Sequence, residues 1–79
     1  MNNNKYTDFM LLYVELDIML ELSKKILSKV SFDKKLFKKE LSKSIRWLSK
    51  KEVITLKIWS LTTFSKYKNT ILEVFDQIS

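Results

Sequence analysis

Asp17 and Glu21 are four residues apart, the spacing that sets two carboxylates on one face of a helix, while Glu15 falls on a different face. Paired carboxylates can share a proton or bind a metal, but one helix offers no further ligands, and two acids at this spacing ordinarily form a solvated face. Nothing stronger is available. The chain has no His to move protons near neutral pH and no Cys nucleophile. It has no Gly, hence no glycine-rich loop to cradle a phosphate. Ser and Lys are so abundant that a Ser/Lys pairing carries no signal. The expectation is a protein that is not an enzyme, with no catalytic residue, no metal site and no cofactor.

The chemistry that remains is electrostatic. The formal net charge is +6, and it is unevenly placed. Residues 1–22 hold one Lys against four acids, residues 23–51 hold eleven Lys/Arg against two, and residues 52–79 hold three of each. On a helical wheel of residues 34–50, Lys35, Lys39, Lys43, Arg46 and Lys50 fall within a sector of about 80°, with Phe37, Leu41, Ile45 and Leu48 on another face. The basic set reads as one continuous ridge about 25 Å long. Such a ridge attracts phosphate backbones or acidic protein patches, although lysines on a helix exterior can equally be a solvated face. Four Lys and one Arg suit point-charge contact better than bidentate readout of bases.

Two tryptophans lie near basic residues. Trp47 falls beside Leu36 and Lys43 on the wheel, and Trp59 lies off the stripe of Val53, Leu56, Leu61 and Phe64. Large aromatics at the edge of a basic face are typical interface anchors and also serve as peripheral core. The partner-binding set expected from sequence is Lys35, Lys39, Lys43, Arg46, Lys50, Trp47 and Leu36.

These side chains need elements to carry them. With 79 residues the chain is one domain, and a core must come from its 46% hydrophobic residues, because neither disulfides nor a Cys/His zinc site is available. The absence of Gly and Pro disfavours tight hairpins and points to helices joined by Ser, Asp, Asn and Thr connections. Thr7 can cap a first helix over about 8–30, with residues 1–6 ahead of it as a segment that can be disordered. Asp33 can cap a second over 34–49, with Phe32 and Phe37 at hydrophobic-staple positions. Ser49 to Glu52 is a capping box opening a third helix over 50–65, with Leu48 and Val53 as its staple. Thr70 to Glu73 repeats the pattern and opens a short fourth over 70–78. Residues 53–59 are β-branched enough to read as a strand, but Ile54, Ile58 and Leu61 at i, i+4, i+7 favour helix. The fold class expected is all-α, a small bundle of three long helices and a short C-terminal fourth.

The first helix is apolar on two sides. Leu12, Leu16, Met19, Ile26, Leu27 and Val30 form one stripe; Leu11, Val14, Ile18 and Leu22 form a second, roughly opposite. Either this helix is central to the bundle, or the second stripe pairs with another chain, making a homodimer as reasonable as a monomer. Phe9 to Leu22 is too short to span a bilayer and carries three acids, so a soluble cytoplasmic protein is expected.

No motif identifies a family. In general type only, the chain resembles small helical accessory proteins of mobile elements or bacteriocin clusters, which act by binding. The leading expectation is therefore a helical protein that docks by its Lys-rich ridge on an acidic protein surface and inhibits or modulates it. Alternatives are a non-specific nucleic-acid binder using the ridge on phosphates, and a membrane-surface or immunity-type bundle resting on anionic lipid.

Overall fold

The computed structural model describes residues 18–77. Four α-helices and no strand are found among them: α1, helical over 18–29; α2, Lys34–Ile45; α3, Lys50–Thr63; and α4, Lys68–Asp76, which follows a 3-10 turn at Ser65–Tyr67. The fold is an all-α bundle, and residues 53–59 belong to α3. Among the described residues, no helix is long and apolar enough to cross a membrane.

Local chemistry explains two of the helix starts. Asp33 is extended (φ −129°, ψ 113°), and its carboxylate accepts from the Lys35 and Leu36 amides at 3.0 and 3.2 Å. This satisfies two donors that have no partner within the first turn. The staple expected beside it does not close, since Phe32 is 79% exposed. At α3 the capping box is complete: the Glu52 amide donates to Ser49 Oγ at 3.3 Å, and the Ser49 amide donates to Glu52 Oε1 at 3.1 Å. Leu48 and Val53 are half-buried against the core, as a staple requires.

The expected extents of α2 and α4 need correction. Helix α2 stops at Ile45 rather than 49. The amides of Arg46 and Trp47 bond to the carbonyls of Lys43 and Ser44, three residues back, tightening the last turn. Beyond that turn Ser49 must be extended (ψ 163°) to make its capping box, a conformation no continuous helix allows. Helix α4 starts at Lys68, with Tyr67 as an N-cap that makes no side-chain cap bond. Thr70 thus lies inside the helix and is buried, so its capping-box pattern is not used. The junction is set upstream by tertiary contacts. Phe64 leaves α3 at φ −120°, ψ 54°, and the Tyr67 hydroxyl donates to the Ser31 carbonyl at 2.6 Å, tying this junction to the α1–α2 turn.

The core consists of Leu27 of α1; Phe37, Leu41 and Ile45 of α2; Leu56 of α3; Phe64 at the junction; and Ile71, Val74 and Phe75 of α4. Helices α2 and α3 each pack on α4 and touch one another little. The short last helix thus receives both α2 and α3; within the described part of α1, Ser23 and Leu27 are buried while Ile18 and Leu22 are exposed. Aromatic rings join the pieces. Phe37 meets Phe64 edge-on at 5.1 Å and Tyr67 tilted at 4.9 Å, and Phe64 meets Trp59 edge-on at 5.4 Å. Each such pair adds about 0.5–1.5 kcal/mol beyond its buried area. No described residue has a positive φ, as befits a chain without glycine.

Candidate functional site: the basic surface of α2 and the turn after it

With α2 ending at Ile45, the five-residue ridge divides. Lys35, Lys39 and Lys43 remain aligned at i, i+4, i+8 along α2, all exposed, over about 12 Å rather than 25 Å. Arg46 sits at the C-cap and Lys50 opens α3; both are exposed, but neither continues the α2 axis. Trp47 leaves the helix with Arg46, and its ring is 68% exposed in the turn. Leu36 stays on α2, half-buried. The side-by-side placement of Leu36 and Trp47 on a single wheel does not carry over, because the wheel assumed one helix through residue 50.

Charge pairing sorts the cations of this surface. Lys38 bonds to Glu73 of α4, and Lys43 lies 3.8 Å from Glu40 on its own helix. The hydrogen bond and charge of Lys38, with help from Lys34, hold the Glu73 carboxyl below its ordinary range. Lys35, Lys39, Arg46, Lys50 and Lys51 form no ion pair with a carboxylate among the described residues. Lys38 is thus a packing link between α2 and α4, while Lys35 and Lys39 and the cations of the turn have no carboxylate partner among the described residues.

The core face expected for α2 is the one observed: Phe37, Leu41 and Ile45 are buried, so the lysines on the other side are turned outward. The stripe of Val53, Leu56, Leu61 and Phe64 likewise faces the core, with Leu56 and Phe64 buried, whereas Ile54 and Ile58, whose spacing favoured helix, are 58% and 61% exposed.

A second basic feature escaped the wheel because its parts are far apart in sequence. Glu21, Lys24, Lys25, Ser28 and Lys29 of α1 line an open cleft against Trp59 of α3. The Lys24 ammonium lies 5.7 Å from the centre of the Trp59 ring, within the range of a cation–π contact. Trp59 is half-buried and packed on Phe64, so it closes the edge of the core. Of the self-association set, Ile18 and Leu22 are exposed on α1, while Leu11 and Val14 lie outside the described residues.

Among the described residues, no three acidic side chains gather as metal ligands. What the surface can do chemically is attract and hold negative charge, with one large exposed aromatic ring in the turn that ends α2. No protein-family model, curated protein or solved structure matches this sequence.

Proposed function

We propose that this is a non-catalytic binding protein that docks on an acidic protein surface and inhibits or modulates it. The observation that carries the reading is that Lys35 and Lys39, which form no ion pair among the described residues, lie on the helix whose closing turn exposes the ring of Trp47. Lysines without carboxylate partners accelerate encounter with an acidic surface, and an exposed Trp offers the large apolar area of an interface hot spot. Lysine is a mobile point charge rather than a planar fork, which suits a carboxylate-rich patch over a defined sequence of bases.

The test is a pull-down from source-cell lysate using the wild-type chain and a Lys35→Glu/Lys39→Glu variant, with and without nuclease. The expected result is one discrete polypeptide that survives nuclease and is lost with the variant. Glu near the N-terminal end of α2 is compatible with the helix dipole, so helicity by circular dichroism should not change. In a Trp59→Phe background, addition of the purified partner should shift Trp47 emission to the blue. Retained capture by the charge-reversed variant, or a Trp47 signal that does not move, would sink the proposal.

The cleft of Lys24, Lys25, Lys29 and Trp59 supports a second reading, binding of single-stranded nucleic acid through phosphates and one stacked base. Its mark is material that disappears with nuclease and an affinity that falls linearly in log K against log salt.

A further inference from the structure

The cleft between α1 and α3 holds its lysines in two different states. Lys24 is tied down: its ammonium lies 3.3 Å from the Glu21 carboxylate and 5.7 Å from the centre of the Trp59 ring, and its side chain is only 25% exposed. Lys25 and Lys29 are exposed and form no ion pair among the described residues. They stand one turn apart on α1, where Cβ atoms lie about 5–6 Å from one another, close to the separation of neighbouring phosphates along a single strand. The ring itself is fixed, because Trp59 packs edge-on against the buried Phe64. An ammonium over an aromatic face occupies the place where a base would stack.

We propose that Lys24 is a displaceable cover on Trp59, held shut by Glu21 and drawn off by the phosphate of a single-stranded nucleic acid. This rests on the nucleic-acid reading of the cleft and adds the step by which the site opens. Lys25 and Lys29 take two neighbouring phosphates, Lys24 leaves Glu21 and the ring for a third contact, and one base stacks on the face it uncovers. Duplex bases are already stacked on one another, so the cleft selects single strands. A run of peptide carboxylates would engage the same lysines but leave the ring unused. Three lysine contacts set a slope of about −2 in log K against log salt.

Titration with dye-labelled oligothymidylate tests it, with anisotropy reporting binding and Trp59 emission reporting the cleft in a Trp47→Phe chain, where Trp59 is the remaining tryptophan. The strand should quench Trp59 to saturation. Trp59→Leu should weaken binding about 10-fold through the lost stack, and Lys25→Gln/Lys29→Gln should lower the salt slope to about −0.7. Glu21→Gln releases the cover and should tighten binding about 2–5-fold, the equivalent of one exposed ion pair. Glu40→Gln, which removes the same charge from the Lys43 pair on α2, should leave affinity unchanged. A strand that binds without quenching Trp59 overturns the inference and moves the nucleic-acid reading to another surface, whereas no binding at all overturns both. Equal effects of Glu21→Gln and Glu40→Gln remove the cover, and equal quenching by polyglutamate gives the cleft to acidic peptides instead.

Discussion

Replacing Tyr67 by Phe removes one oxygen and leaves the ring in place against Phe37, so it isolates the hydrogen bond to the Ser31 carbonyl. That bond joins residues 36 positions apart and holds the α1–α2 turn against the α3–α4 junction. A net hydrogen bond contributes about 1 kcal/mol, and the half-buried carbonyl left without a donor raises the cost to ~1–2 kcal/mol. For a chain of 79 residues, at about 2.1 cal/mol/K of unfolding entropy per residue, the midpoint should fall by ~6–12 °C. Thermal unfolding followed by circular dichroism reads this directly. A urea titration should show a lower midpoint with an unchanged slope, because the surface exposed on unfolding is the same. Tyr67→Leu should cost about 0.5–1.5 kcal/mol more through the lost ring contact. The effect bears on function, because the clamped turn sets how the α1 lysines and the α2 lysines are disposed to one another. A Tyr67→Phe midpoint within about 2 °C of wild type would refute the assignment of this clamp.

Two further outcomes follow from buried and paired groups. Ser44 and Ser60 are both buried, but the Ser44 hydroxyl donates to the Glu40 carbonyl whereas the Ser60 hydroxyl has no partner. Ser60→Ala should therefore raise the thermal midpoint by ~4–8 °C, for about 1 kcal/mol of relieved desolvation, while Ser44→Ala changes it less; a drop with Ser60→Ala contradicts the geometry. Glu73 titrates below its ordinary value of 4.5 in the folded chain because Lys38 bonds to its charged form. Its contribution to stability is present above the unfolded value and is lost as pH falls through the folded one. The difference in midpoint between wild type and Glu73→Gln should therefore be present at neutral pH and vanish well below pH 4.5. The pair is exposed, so the difference should be small and diminish in high salt; a gap that widens on acidification would reverse the assigned sign.

The sequence made some of this structure legible and concealed the rest for identifiable reasons. Asp33 and Ser49 act where their side chains bond to backbone amides nearby, and such short-range chemistry can be read from spacing alone. Phe37, Leu41 and Ile45 form a single stripe opposed by lysines, so periodicity assigned the buried side of α2. In α3 the apolar residues lie on two sides: the stripe of Val53, Leu56, Leu61 and Phe64 packs on the core, and Ile54 and Ile58 satisfy the helical spacing without being buried. The structure buries a serine and leaves two isoleucines outside. Thr70 carried a sound local capping signal that a distant contact, Tyr67 to Ser31, made irrelevant. The divided ridge has the same origin: the lysines were found, but their alignment depended on where α2 ends, and without Gly or Pro no residue marked that end. The cleft under Trp59 unites residues from two helices, which no single wheel can show.

The packing of both α2 and α3 on α4 has a consequence for how the chain leaves the ribosome. Synthesis runs from the N-terminus, so α2 and α3 emerge before the helix on which they pack. Until Ile71, Val74 and Phe75 follow, Phe37, Leu41 and Leu56 have no partners on α4 and remain open to water or to a chaperone. A nascent chain stalled before residue 70 thus holds the basic surface but not the core that orients it, so the disposition of that surface is fixed only once α4 has emerged.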